Sequence, residues 1–256
     1  MTPRPRLLAT AALIALLVLG GCATAPPGAE LAGSEWAAAS RVPGTAPDAV
    51  WTHQVFGNRK PTQYTPVHHE GRAAMLAYSE SGNSTLRLRL SAPDPASGTL
   101  AFSWFVTELN PAFDLRERDT SDAVTRVVLV FDGDRSTLSR RDHMLSDLAQ
   151  LVTGEPMPYA TLMYVWDPQL PIGSVVYNAH TRRIRKLVVD SGPERLGRWV
   201  DHERDIEVDF RQAFGEAPGR LIGVGVMTDA NNTESTARAW YGPIQLKPGI
   251  TVTRQP

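Results

Sequence analysis

Short runs of apolar residues, many alternating with polar ones, recur from about residue 50 onward with turn residues between them, and this pattern predicts a series of strands. Leu86-Arg87-Leu88-Arg89-Leu90 alternates strictly, so its leucines should face a core and its arginines water. Arg72 to Ser79 and Ser84 to Leu90 flank Glu80-Ser81-Gly82-Asn83 as a hairpin-like pair. Thr99 to Thr107, Val124 to Phe131, Tyr159 to Trp166, Ser174 to Asn178, Ile184 to Val189, Leu221 to Thr228 and Ala237 to Leu246 read the same way. One segment has the other period. Met144, Leu145, Leu148, Leu151 and Val152 recur at helical spacing between a capping Ser139 and a stop at Gly154, which predicts an amphipathic helix packed on a sheet edge. A shorter helical turn is expected at Val208 to Phe214. Frequent strands with few helices between them predict an all-β antiparallel sandwich rather than a βαβ fold.

The N-terminal pattern is different. Arg4 and Arg6 precede an apolar run from Leu7 to Leu19 that closes on Leu19-Gly20-Gly21-Cys22. A basic start, a run too short for an ordinary spanning helix and small residues before the cut predict a lipoprotein signal in residues 1–21, with Cys22 carrying the lipid. Ala23 stands where an inner-membrane retention signal would place Asp, so the expected address is the outer membrane, facing the periplasm. Residues 22–48, rich in Ala, Pro, Gly and Ser, are expected to be a flexible tether, and residues 49–256 one domain.

Charge and cysteine usage exclude several functions. Without residues 1–21, which carry Arg4 and Arg6 and no acid, the 26 basic residues fall to 24 against 27 acidic ones. Such a balance argues against a nucleic-acid partner, which needs a basic excess. Cys22 is the single cysteine, so the domain has neither a disulfide nor a catalytic thiol. Gly and Pro at 20 each suit a turn-rich β protein.

No G-x-S-x-G, H-E-x-x-H or P-loop signature occurs. Asp132-Gly133-Asp134 and Asp229-Ala230-Asn231-Asn232 open like calcium loops, yet neither completes the EF-hand pattern. Both are expected to be turns, a structural calcium being the alternative reading, and no cofactor is expected. His68 and His69 point to opposite faces of a strand and cannot share an ion without a bulge, and no spaced His or Cys pair supports zinc. Glu108, Asp114, Glu117, Asp119 and Asp122 are interleaved with Arg116, Arg118 and Arg126, for which solvated ion pairs are the plain explanation. Paired carboxylates such as Glu108 and Asp122 would serve a glycosidase.

The stretch from Asp122-Ala123-Val124-Thr125-Arg126 to Trp240-Tyr241-Gly242-Pro243-Ile244 resembles a bacterial family, domain of unknown function 3047. Its pieces are Pro158-Tyr159-Ala160-Thr161-Leu162, Tyr164-Val165-Trp166, Asn178 with His180-Thr181, Arg204-Asp205, Asp209-Phe210, Ala213-Phe214-Gly215-Glu216 and Thr228 to Thr233, with Thr62-Gln63-Tyr64 upstream. The resemblance implies no activity or catalytic residue. It does imply a jelly roll similar to galactose-binding-like domains.

Absence of a nucleophile, a cofactor loop and a zinc set points to a non-catalytic binding or envelope-structural lipoprotein, with a glycan or another envelope polymer as ligand. The alternatives are a periplasmic hydrolase of envelope polysaccharide using paired carboxylates, and a partner in envelope-protein assembly. A ligand surface, if formed, is expected at Asp229, Asn231 and Asn232, with Asp132 and Asp134 nearby and Tyr164, Trp166 or Trp240 as an aromatic floor.

Overall fold

Alternation and turns are realised as two packed sheets in the computed structural model, which describes residues 31, 33–43, 50–95 and 98–248. The strands are β1 (Thr52–Val55), β2 (Gln63–His69), β3 (Arg72–Glu80), β4 (Ser84–Pro95), β5 (Gly98–Phe105), β6 (Ala123–Phe131), β7 (Ala160–Asp167), β8 (Val175–Tyr177), β9 (Ile184–Ser191), β10 (Trp199–Asp205), β11 (Arg220–Asp229), β12 (Thr236–Tyr241) and β13 (Gln245–Pro248). The helices are α1 (Glu35–Ala39), α2 (Arg140–Thr153) and α3 (Ile206–Phe214). One sheet has the order β1-β4-β11-β6-β7-β9-β8 and the other β10-β5-β12-β3-β2, with β13 beside β5. Pairing is antiparallel except between β7 and β9, which run parallel. The fold is a β-sandwich, and its chain moves repeatedly from one sheet to the other, as jelly rolls do: β3, β5, β10 and β12 lie in one layer and β4, β6 and β11 in the other.

Burial follows the alternation. Leu86, Leu88 and Leu90 enter the core while Arg87 and Arg89 face outward. Val127, Leu129, Phe131, Tyr164 and Trp166 of one sheet meet Met75, Leu100, Phe102, Trp104 and Tyr241 of the other. Helix α3 closes one part of this core through Ile206, Phe210, Ala213 and Phe214, with Phe210 4.7 Å from Phe131, before Gly215 ends it at φ 72°.

Four sequence expectations are corrected. The segment Glu80-Ser81-Gly82-Asn83 is a crossover, not a hairpin, since β3 and β4 belong to different sheets. Gly82 is needed there because a Cβ would lie 2.5 Å from the Lys60 carbonyl oxygen. The run Ala237 to Leu246 is split into β12 and β13 at Gly242, where a Cβ would fall 2.1 Å from Ser103 Oγ. Helix α2 has the expected cap and stop, with Gly154 at φ 77°, but turns its apolar side to solvent. Its polar side holds it to the body instead: Thr181 Oγ1 donates to Asp142 at 2.6 Å and Arg135 to Ser146 Oγ at 2.6 Å. Finally, part of the expected tether is folded. Trp36 of α1 is buried with its ring 4.6 Å from Trp51, Leu31 and Val42 are buried, and Arg41 exchanges backbone hydrogen bonds with Ile244 and Leu246. Cys22 and the expected signal lie outside the described residues.

Candidate functional site

The residues expected to gather around one ligand are placed apart. Strands β6 and β11 are antiparallel neighbours, with Phe131 opposite Leu221 and Ala123 opposite Asp229. Asp132 therefore follows β6 at one end of the sheet while Asp229 closes β11 at the other, about 30 Å away at the usual rise per residue. Tyr164 and Trp166 lie in the core between the sheets, where burial pushes the Tyr164 hydroxyl well above its ordinary pKa and Trp166 Nε1 donates to Gly192 O at 3.0 Å. Trp240 projects from the opposite sheet. No common floor is formed.

Each Asp/Asn group has a local task. Asp132 accepts from Gly133 N and from Arg220, whose guanidinium holds the carboxyl below the ordinary range. Asp134 accepts from Ser136 N and Oγ and caps a 3-10 turn, Arg135–Thr137. Asn232 Nδ2 donates to Arg118 O at 2.9 Å, and the half-buried Asn231 lies against Asn232. Among the described residues no three His, Cys, Asp or Glu side chains converge as a metal set.

Asp229 belongs to a buried ionic group. It takes two bonds from Arg126, at 3.0 and 2.9 Å, and one from Ala123 N. Lys186 of β9 enters the same region: its Nζ contacts Ser121 Oγ, and burial pushes its pKa down to about 7, Arg126 adding repulsion while Asp229, Asp122 and Asp167 oppose it. Asp122, a proposed hydrolase carboxylate, is fully buried and accepts from Asn232 N, Thr233 N and Thr233 Oγ1. Glu108 is exposed. These bonds fasten the loop from Thr107 to Asp122 over the sheet.

The outer side of the other sheet carries a different arrangement. Trp199, Phe105 and Trp240 are successive cross-strand partners on β10, β5 and β12, which brings their rings into one row. Phe105 lies 5.8 Å from Trp199 and 5.7 Å from Trp240, both edge to face. His69, at the end of β2, stacks on Trp240 at 4.1 Å. Arg72 lies 5.1 Å from the Trp199 ring and grips Asp201 with both terminal nitrogens, at 2.5 and 3.1 Å. Trp199, Trp240 and His69 are half-buried, Phe105 between the two tryptophans is buried and Asp201 is exposed, so two half-exposed rings lie beside the Arg72–Asp201 ion pair, while His69 Nε2 is buried with no hydrogen-bond partner among the described residues. Sequence reading singled out only Trp240. Trp199 lies in a strand whose alternate residues are charged, and the register that sets it beside Phe105 has no local signature.

Residues 49–245 match the family described as protein of unknown function, DUF3047. The chain belongs to the DUF3047 family. Its characteristic pieces serve the DUF3047 scaffold: Thr62 Oγ1 donates to Thr228 O at 2.7 Å, Thr228 Oγ1 to Val124 O at 2.8 Å, Tyr241 OH to Met227 O at 2.6 Å, and Arg204 grips the buried Asp209 twice. No curated protein matches this DUF3047 chain. Among solved structures it is similar to a mutant of the family 29 carbohydrate-binding module CBM29-2 complexed with mannohexaose, at 10% identity and TM-score 0.30, over 81% of this chain and 99% of that one. It is also similar to the tandem CBM22 domains of Paenibacillus barcinonensis Xyn10C, at 13% identity and TM-score 0.31, over 81% and 51% of the two chains.

Proposed function

We propose that this protein is an envelope lipoprotein that holds a glycan or another extracytoplasmic polymer without cleaving it. The row Trp199, Phe105 and Trp240 carries this reading. The half-buried rings of Trp199 and Trp240, set on either side of the buried Phe105, suit the apolar faces of sugars, while Arg72 and Asp201 can bond hydroxyls. The membrane address is supported by the run from Leu7 to Leu19 and its close at Cys22.

Retention on insoluble peptidoglycan and on cell-surface polysaccharide tests the binding claim. The expected outcome is retention without new reducing ends, weakened about tenfold in Trp199→Ala, the loss of roughly one stacking contact. Release of reducing ends would support the hydrolase instead. Retention unchanged in Trp199→Ala and in Trp240→Ala would remove the aromatic row from the account. Palmitate labelling that disappears in Cys22→Ala tests the anchor.

A further inference from the structure

Helix α2 is inside out. At 100° per residue Asp142, Ser146 and Ala149 share one side and face the body, while Met144, Leu148 and Leu151 share the other with Arg140 and Arg141. Met144, Leu148, Leu151 and Val152 are 63%, 56%, 84% and 64% exposed. Four large apolar side chains with no protein over them make a patch that a soluble surface rarely keeps without an occupant.

We propose that this face of α2 docks on a phospholipid bilayer. Two observations favour lipid over another protein. Arg140 and Arg141 stand at the border of the apolar row, the arrangement by which interfacial helices meet headgroup phosphates while their apolar side enters the acyl boundary. The course of the N-terminal segment is the second. Leu31 and Trp36 are packed into the fold, so only eight residues separate Cys22 from Leu31, a reach of about 30 Å when fully extended. Trp36 packs on Trp51, and the flanking Val50 and Thr52 line a cleft of about 660 Å³ whose other rim is Val152. Trp36 thus ties the segment leading to the anchor to Trp51, whose neighbours share a cleft with Val152 at the end of α2, while Glu35 of α1 bonds His68 of β2. This choice of occupant rests on the lipoprotein reading. Bilayer contact there would leave the row at Trp199, on the outside of the opposite sheet, turned toward the envelope polymer.

The test uses a chain starting at Ala23, which keeps every residue of the described fold and has no acyl group, so it fails or succeeds independently of the palmitate experiment. Flotation with vesicles of phosphatidylethanolamine and phosphatidylglycerol should capture it. Leu148→Asp with Leu151→Asp should lower partitioning at least tenfold with an unchanged melting temperature, since both positions are exposed. Val208→Asp, a comparably exposed apolar position on α3, should have no effect, and Arg140→Gln with Arg141→Gln should weaken binding to these vesicles but not to phosphatidylcholine. The proposal is overturned if the parent floats with neither lipid, or if the double Asp variant floats like the parent. A dimer in analytical ultracentrifugation that the double variant dissolves, without vesicle binding, would assign the face to a second copy and overturn it equally.

Discussion

Lys186 shows what a single residue gives away to burial. Its ammonium sits among Arg126, Asp229, Asp122, Asp167 and Ser121 under the loop from Thr107 to Asp122, and desolvation lowers its pKa from 10.5 to about 7. Between those values the unfolded chain binds the proton more readily than the folded one. Stability from this residue therefore rises with pH from about 7 to 10.5, and the penalty for a buried charge is fully present below 7. Melting temperatures of the parent and Lys186→Met across pH 6 to 10 should show the parent gaining on the variant over that window, and a constant difference would contradict the assignment. The sequence marks Lys186 only as one of two adjacent polar positions in a predicted strand. Its neighbours come from β6, β7, β11 and the loop before β6, so no local pattern could reveal the ionic group. The same holds for Asp229, which reads as a turn residue and is held by Arg126 more than a hundred positions earlier.

Among the elements, α2 divides what local chemistry sets from what packing sets. Its ends were legible: Ser139 Oγ accepts from Asp142 N at 3.1 Å, and Gly154 supplies the left-handed stop. Which side would be buried was not, because the apolar spacing suggested the side that the structure exposes. A helix attached mainly by polar contacts should loosen locally before the sandwich unfolds. Ser139→Ala removes a cap worth about 1 kcal/mol. Hydrogen exchange within α2 should accelerate about fivefold while the global melting temperature hardly moves, and an equal change in the β-sheet amides would show that α2 is instead part of the cooperative core.

For the whole molecule, the N-terminal segment extends the folded unit beyond residues 49–245. Trp36 fills a space against Trp51 and Ser40 Oγ accepts from Ile244 N at 3.1 Å, so α1 helps to seal the core. Trp36→Ala should cost about 3–5 kcal/mol in denaturant unfolding, in the range of other buried aromatic deletions, whereas a mobile tether would make it neutral. By itself the sequence determined the fold class, most strand positions, the inward side of Leu86 to Leu90 and the caps of α2, since period, turn residues and caps act over a few neighbours. It also carried the reading of Cys22 as an anchor. Tertiary structure decided that β3 and β4 part into separate sheets, that Tyr164 and Trp166 are core, that Asp132 and Asp229 stand at opposite ends of paired strands, and that Trp199, Phe105 and Trp240 form one row. Those outcomes depend on register and layer, which are fixed by contacts between residues far apart in the chain.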